Sequence, residues 1–287
     1  MVDISAIVTI LQFIVLSTAI LLTIIYSIPF ILIPRFRHRL HAFTINTCIT
    51  MLCCSIYWFV YFIMTKVNVR QFYQLSTCSI VFYAQVMCTL QVPLALMVVS
   101  IHRLCCVVHY AKTFFKTKLW ISVCILCQWL VGILISLPTI IRNPTICAMP
   151  FWMNYYVLVI IIIIPVLLYI IINVIIFKYV QSSTRRIQPR TETMVVDNNS
   201  VQQLKLNRRD IHLLRHMIIM FFVFVIGWCP IYITTVVNAH IPVDLLILKI
   251  LSLLAEISLF CNVIDLFLYS HDLRQFLKSM VMPCYRS

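Results

Sequence analysis

Two acidic residues stand inside long apolar stretches of this sequence, and they are the side chains best placed to do chemistry. A carboxylate surrounded by apolar residues is costly, so it usually has a partner or a function. Glu256 can meet a basic group of a ligand, or it can simply form a hydrogen bond with Tyr232 or Gln85. Asp265 can belong to an ion-binding or water network. From the sequence, the alternatives for Glu256 stay open.

The chain carries none of the residue patterns that are typical of an enzyme active site or a metal centre. No Cys-x-x-Cys motif pairs with a second such motif or with spaced histidines, which excludes the common zinc sites. No Ser, His and Asp set and no Cys and His set stands out as catalytic. Most of the 13 cysteines lie inside apolar stretches, where they act as small hydrophobes. The sequence therefore predicts neither an enzyme nor a protein with a metal or cofactor.

The stretch from Cys78 to Arg103 is the element around which the chain is organised. It holds about 25 residues without a charge and ends in a cation. At 1.5 Å per residue, a helix of this length covers roughly 37 Å, enough to cross a bilayer core of about 30 Å. Cys78 would then lie near one face of a membrane and Arg103 near the other.

The composition predicts an integral membrane protein. The 287-residue chain is 63% hydrophobic and 10% charged, and its mean hydropathy is +1.03, which leaves too few polar residues to cover a soluble fold. Seven apolar stretches are each long enough to cross as a helix, at about 5–34, 42–65, 75–101, 119–141, 151–177, 213–237 and 243–269. The predicted fold is an all-α bundle of seven transmembrane helices over residues 1–269, followed by a short amphipathic surface helix and tail over 270–287.

The positive charges fall mainly on one side of this arrangement. Of the 22 lysines and arginines, 18 lie in segments on the Arg103 side and four on the other. The positive-inside rule then puts the N-terminus outside the cell and the C-terminus in the cytoplasm, with the chain in the plasma membrane. The net charge of +14 is therefore charge near anionic lipid and not a nucleic-acid patch. Cys284 in the tail is a lipidation candidate, with a free cytosolic thiol as the alternative.

Marker residues are spread over five of the seven spans. They are Cys78 with Arg103, Trp129 with Pro138, Pro165, the run Phe224-Val-Ile-Gly-Trp228-Cys-Pro230, and the run Asn262-Val-Ile-Asp-Leu266. Together these motifs resemble those of the rhodopsin-like (class A) G-protein-coupled receptors, and the resemblance covers nearly the whole chain. It implies a receptor that binds a ligand on the outer side and activates a heterotrimeric G protein on the inner side.

The chain departs from the family's patterns near Arg103 and in other spans, among them the second and the seventh. His102 stands where the family has an acid, and Leu104 stands where it has a tyrosine. Val263 and Leu266 replace the proline and the tyrosine of the seventh-span motif. The second span lacks the family's aspartate. We therefore expect the sodium site of the family to be missing and the inner switch to be altered.

The resemblance implies three groups of functional residues. The ligand pocket would be lined by Gln85, Thr89, Trp228, Ile231, Tyr232, Thr235, Ser252 and Glu256. The activation switch would involve Arg103, Asp210, Pro165, Phe224, Trp228, Pro230 and Asn262, with Asp210 facing Arg103 in the resting state. A disulfide would join Cys78 to Cys147, which both fall on the oxidising outer side. Gln85 stands where aminergic receptors carry an aspartate, so a biogenic amine is not favoured as the ligand.

The sequence thus predicts a cell-surface receptor for a small peptide or small molecule that signals by outward movement of the sixth helix. A chemosensory receptor for exogenous compounds is an alternative within the same class. A membrane transporter or channel is an alternative from a different class, although the two halves of the chain show no repeat. The expected partners are an extracellular ligand, a heterotrimeric G protein and membrane lipid, without nucleic acid.

Overall fold

The computed structural model describes residues 4–32, 41–67, 75–108, 113–140, 150–186 and 198–269, and none of these residues forms a β-strand. Six uninterrupted helices are α1 (Ile4–Leu32), α2 (His41–Val67), α3 (Leu75–Val108), α4 (Lys118–Ser136), α6 (Asn198–Asn238) and α7 (Leu245–Tyr269). The helix between α4 and α6, named α5, has three consecutive parts: Phe151–Leu158, the π-helical Val159–Ile163 and Ile164–Arg186. Short 3-10 helices, Thr113–Lys116 and Leu137–Ile140, flank α4.

All seven helices are long and apolar enough to cross a membrane. Their apolar spans hold 23 to 29 residues, so each covers about 35–44 Å. The prediction of an all-α bundle of seven transmembrane helices is confirmed. Large apolar side chains such as Ile10, Leu126 and Ile226 are exposed on its surface, as expected where the solvent is lipid. Because each helix crosses in the direction opposite to the one before, we name the two faces of the bundle the Cys78 end and the Arg103 end.

The sixth helix is longer than its apolar span. It begins at Asn198, whereas the apolar pattern alone predicts a span from residue 213. The polar segment 198–212 holds two Gln, two Leu, two Arg and one Lys, which are good helix formers. The helix therefore continues beyond the membrane at the Arg103 end. The amphipathic helix predicted within 270–287 lies outside the described residues.

Apolar packing fills the interior toward both ends of the bundle. Leu90 of α3 and Trp228 of α6 belong to one buried cluster toward the Cys78 end. Leu96 of α3 and Phe221 of α6 belong to a second cluster toward the Arg103 end. Within lipid the hydrophobic effect gives little drive for helices to associate, because the surrounding tails are equally apolar. Close packing and hydrogen bonds between helices must therefore hold the bundle together.

A buried chain of hydrogen bonds ties α2, α3 and α4 together. Asn46 Nδ2 donates to Gln128 Oε1 at 2.7 Å, and Gln128 Nε2 donates to Gln91 Oε1 at 3.0 Å. The indole Nε1 of Trp129 donates to Asn46 Oδ1 at 3.0 Å. Since an unpaired amide inside a membrane is costly, these contacts favour one register of the three helices. Trp129, a marker residue in the sequence, therefore anchors α4 to α2.

Gly227 lets α6 and α7 approach each other closely. A Cβ atom at this position would overlap the side chain of Ser258 and would lie 3.3 Å from the carbonyl oxygen of Leu254. Both of these residues belong to α7. Ser258 is held in place by a hydrogen bond of 2.7 Å from its Oγ to the carbonyl oxygen of Ala255. The crossing of α6 and α7 therefore leaves no room for a larger residue.

Replacing Gly227 with alanine is expected to destabilise the folded protein by about 1–3 kcal/mol, because the added methyl group forces α6 and α7 apart. The melting temperature of the purified protein in detergent measures this loss. The double variant Gly227→Ala with Ser258→Gly removes the overlapping atoms, and it is expected to recover part of the stability. An unchanged melting temperature in Gly227→Ala would contradict the close crossing.

Candidate functional site

A cavity of about 60 Å³ opens between the helices in the half of the bundle nearer the Cys78 end. Five helices line it, with Trp58 from α2, Gln85 from α3, Asn154 and Val157 from α5, Trp228, Ile231, Tyr232 and Thr235 from α6, and Ser252, Ala255 and Glu256 from α7. The space holds a few water-sized groups. It is small beside the roughly 300–1,000 Å³ of typical ligand pockets. A drug-sized ligand would therefore have to displace side chains when it binds.

Glu256 places a buried carboxyl group in the wall of this cavity. The residue is 1% exposed. Its Oε1 accepts hydrogen bonds from Gln12 Nε2 of α1 at 3.0 Å and from Ser252 Oγ at 3.3 Å. Its Oε2 has no hydrogen-bond partner among the described residues, and neither has the hydroxyl of Tyr232. The carboxyl group thus bonds to Gln12 and Ser252 rather than to Tyr232, and one of its oxygens is left for another partner.

A row of aromatic rings on α6 borders the cavity through Trp228 and Tyr232. Phe224, Trp228 and Tyr232 follow one another on α6 at a spacing of four residues, with neighbouring ring centroids 5.8 and 6.1 Å apart. Trp58 of α2 packs against Trp228 with a centroid distance of 5.7 Å. Pro230 lies inside the same stretch of α6, where it removes one backbone hydrogen bond and weakens the helix. A ligand that moves Trp228 would therefore act beside a deformable point of α6.

Seven of the eight residues predicted to line a ligand pocket meet at this cavity, and Thr89 is the exception. Thr89 is fully buried, and its hydroxyl lies near that of Tyr232 without reaching the cavity surface. Sequence reasoning missed Trp58, Asn154, Val157 and Ala255. Ligand binding by these residues stays a prediction.

Sequence reasoning assigned no residue of the fifth span to the pocket, so Asn154 and Val157 were missed. A π-helical turn, Val159–Ile163, lies between Asn154 and Pro165. An extra residue in a helical turn rotates everything before it relative to a regular α-helix, so the sequence alone does not give the face of this part of α5. For Trp58, the aromatic cluster with Tyr57, Tyr61 and Phe62 was the available signal.

At the Arg103 end, the histidine that replaces the family's acid is a packing residue. His102 is 5% exposed, and its ring centroid lies 4.7 Å from that of Phe43 on α2. Its Nε2 lies 3.6 Å from the Sγ of Cys106. Arg103 lies near Tyr169 of α5. His102 therefore joins α3 to α2 instead of supplying a charge to Arg103.

A second contact at the same end joins α6 to α7. His216 Nε2 lies 3.0 Å from Asp265 Oδ2, with the two side chains 7% and 30% exposed. The pair is ionic when the histidine is protonated. Because Asp265 is partly exposed, such a pair contributes about 1 kcal/mol or less. Asp265, which the sequence suggested for an ion or water network, thus pairs with a histidine across the helix interface.

The other predicted switch residues lie along α5, α6 and α7. Pro165 and Phe224 are buried. Asn262 is fully buried, and neither atom of its amide group has a hydrogen-bond partner among the described residues. Asp210 belongs to the helical backbone of α6, but its side chain lies outside the described part of the structure. The predicted contact between Arg103 and Asp210 therefore stays a prediction.

The cysteines at the two membrane faces are only partly described. Cys78 is 1% exposed and is disulfide-bonded. Its partner, like Cys147 and Cys284, lies outside the described residues. The pairing with Cys147 and the lipidation of Cys284 stay predictions.

Comparison with known sequences agrees with this architecture. The sequence profile of the 7 transmembrane receptor (rhodopsin family) matches residues 28–269, which include α2 to α7, the cavity and the Arg103 end. No curated protein sequence matches the chain significantly. The seven membrane-crossing helices and the length of the profile match point to the same conclusion. The chain belongs to the rhodopsin-like, or class A, G-protein-coupled receptors.

Proposed function

We propose that this receptor stands in the plasma membrane, binds an extracellular small molecule or small peptide in the cavity, and activates a heterotrimeric G protein at the Arg103 end. Its N-terminus would be extracellular and its C-terminus cytoplasmic. Membership of the family implies an extracellular ligand and a G protein as partners. The class of ligand and the activation of a G protein by this chain are what we propose.

One observation carries the proposal: Glu256, whose buried carboxyl group has one oxygen without a partner among the described residues, lines the same cavity as Trp228. Glu256 Oε2 is the unpaired atom, and both residues line the same space. Trp228 is stacked between Phe224 and Tyr232 on the helix that contains Pro230. A ligand that binds Glu256 would therefore also contact the ring that adjoins the deformable part of α6.

The contacts of α6 at the Arg103 end support a movement between two states. The ring of Phe221 stacks on Tyr169 of α5 with a centroid distance of 3.9 Å, and His216 pairs with Asp265 of α7. Outward movement of α6 would separate the His216–Asp265 pair. A ligand shifts the balance only by its difference in affinity for the two states. A different position of Trp228 in each state would provide that difference.

A screen of small molecules and short peptides in cells that express the receptor, read by G-protein activation, tests this function. We expect an agonist whose response is lost in Arg103→Ala at equal surface expression. Activation by environmental compounds alone would favour the chemosensory alternative. Ion or solute flux in proteoliposomes, without G-protein activation, would favour a transporter or channel.

The topology can be tested separately with an epitope tag near Asn198. The division of 18 cations against four predicts that this segment is cytoplasmic. Antibody is therefore expected to reach the tag only after the cells are permeabilised, while a tag at the N-terminus should be stained on intact cells. Staining of the Asn198 tag on intact cells would reverse the proposed orientation.

A further inference from the structure

The carboxyl group of Glu256 lacks the counter-charge that a buried carboxylate usually has. No Lys, Arg or His in the described part of the chain lies within ion-pair distance of it. Its two hydrogen-bond donors, Gln12 and Ser252, are both neutral and both reach Oε1. The nearest cation along α7 is Lys249, about 10 Å away along the helix axis, and its ammonium group donates to Ser5 of α1. Among the described residues, Oε2 therefore has no partner, and it is available to a ligand that enters the cavity.

The surroundings of Oε2 suit a cation more than an anion. Among the described residues, no positively charged side chain lines the cavity. Trp58 and Trp228 present aromatic rings, whose faces attract cations. Asn154 adds a buried amide oxygen without a hydrogen-bond partner among the described residues. Together with Glu256, it supplies a second acceptor for N–H groups.

The position of this carboxylate also differs from that in aminergic receptors. Their acid lies on the third helix, where this chain has Gln85. Here the acid lines the cavity from α7. The absence of an acid at Gln85 therefore does not exclude a charged ligand. It would change which side of the cavity holds the charged group.

We propose that the cavity takes a compact organic cation with at least one N–H donor, such as a protonated amine, an amidine or a guanidine. Its charged group would donate to Oε2 of Glu256, and its apolar part would lie against Trp58 and Trp228. A quaternary ammonium ion lacks the required donor and is excluded. The inference rests on the proposed function of the cavity as the ligand site, and it names the class of ligand.

The test uses the purified full-length receptor in lipid nanodiscs and follows its melting temperature as two probes are titrated. Benzylamine is a cation at neutral pH, and benzyl alcohol is its neutral analogue of nearly the same shape. A ligand that binds only the folded state raises the melting temperature in a concentration-dependent way. We expect benzylamine to bind the wild-type receptor at least tenfold more tightly than benzyl alcohol, because its hydrogen bond to Glu256 is charge-assisted.

The variant Glu256→Gln should abolish this preference, so that both probes bind within about twofold of each other. Glutamine keeps the shape of the side chain and can still accept from Gln12 and Ser252. Lys249→Gln is the matched control outside the cavity, and it should keep the preference for the amine. If Glu256→Gln does not fold, the comparison of the two probes on the wild-type receptor still tests whether the cavity prefers a cation.

Three results would overturn the inference. They are equal binding of the amine and the alcohol to the wild-type receptor, a preference for the amine that survives in Glu256→Gln, and the absence of stabilisation by either probe. Equal binding is the result expected if the carboxyl group is protonated and donates a neutral hydrogen bond. Because binding is measured without a G protein, failure of the inference is distinguishable from failure of the proposed signalling. A receptor that prefers the amine but activates no G protein would contradict only the latter.

Discussion

Replacing Cys147 with serine is expected to lower the free energy of unfolding by about 4 kcal/mol and to remove most of the receptor from the cell surface. The reason is the proposed disulfide with Cys78, which would close a loop of about 70 residues. A crosslink of that length restricts the unfolded chain, and the chain-entropy relation gives about 4 kcal/mol of stabilisation. That is a large part of the stability of a typical domain, about 5–15 kcal/mol.

The described cysteines support Cys147 as the partner. Cys78 is disulfide-bonded, and the ten other cysteines within the described residues are free. This leaves Cys147 and Cys284 as possible partners. Cys284 follows α7, which ends with Tyr269 at the Arg103 end, across the membrane from Cys78. Cys147 belongs to the segment between α4 and α5, which connects at the same face as Cys78.

Surface staining and the melting temperature of the purified receptor measure the effect. Cys88→Ser is the matched control, because Cys88 is a free thiol on the same helix as Cys78, and it should behave like the wild type. Cys78→Ser and the double variant with Cys147→Ser should be no worse than Cys147→Ser alone. Recovery of both cysteines as free thiols from functional receptor, by mass spectrometry without reduction, would contradict the pairing.

Replacing Asp210 with asparagine is expected to raise ligand-free G-protein activation about fivefold at nearly normal surface expression. The resemblance to the family places this acid opposite Arg103 in the resting state. Two unit charges about 4 Å apart at an effective dielectric constant of 20 attract by roughly 4 kcal/mol. Water and side-chain entropy reduce the net contribution to about 1 kcal/mol. Since 1.4 kcal/mol is a factor of ten, losing this contact shifts the resting equilibrium about fivefold.

The structure makes this effect easier to isolate. His102, which stands where the family has an acid, packs against Phe43, so the residue before Arg103 on α3 supplies no negative charge. Asp265→Asn removes a second acid at this end, which pairs with His216, and it should raise basal activity by a similar or smaller factor. If the two contacts act independently, the double variant should show the product of the two factors.

Basal G-protein activation, normalised to surface receptor, is the measurement, with Arg103→Ala beside it. The competing explanation is that Asp210 is only a favourable acid on the polar part of α6, or that it pairs with the neighbouring Arg208 or Arg209. Its removal would then change stability by a few tenths of a kcal/mol and leave signalling alone. Unchanged basal activity in a receptor that still responds to an agonist would reject the contact with Arg103.

Hydropathy in the sequence was enough to predict the bundle of seven helices. In lipid, only segments that satisfy their own backbone hydrogen bonds can cross, so an apolar stretch of sufficient length has one structural outcome. The resemblance to the receptor family likewise pointed to seven of the residues that line the cavity. The positions of the membrane spans depend on local properties of each segment, which can be read directly from the sequence.

Contacts between side chains of different helices could not be predicted from the sequence and were found only in the tertiary structure. Whether Glu256 bonds to Tyr232 or to another residue is decided by the rotation of α1, which brings Gln12 beside it. Asn154 lines the cavity from the part of α5 that precedes a π-helical turn, and the extra residue of such a turn changes the rotation of that part. Gly227 allowed α7 to come close enough to α6 that Ser258 fills the space a side chain would need. The pairing of His216 with Asp265 joins residues 49 positions apart on different helices. Hydropathy fixes where a helix crosses the membrane but not its rotation about its own axis, which is set by the packing of its neighbours.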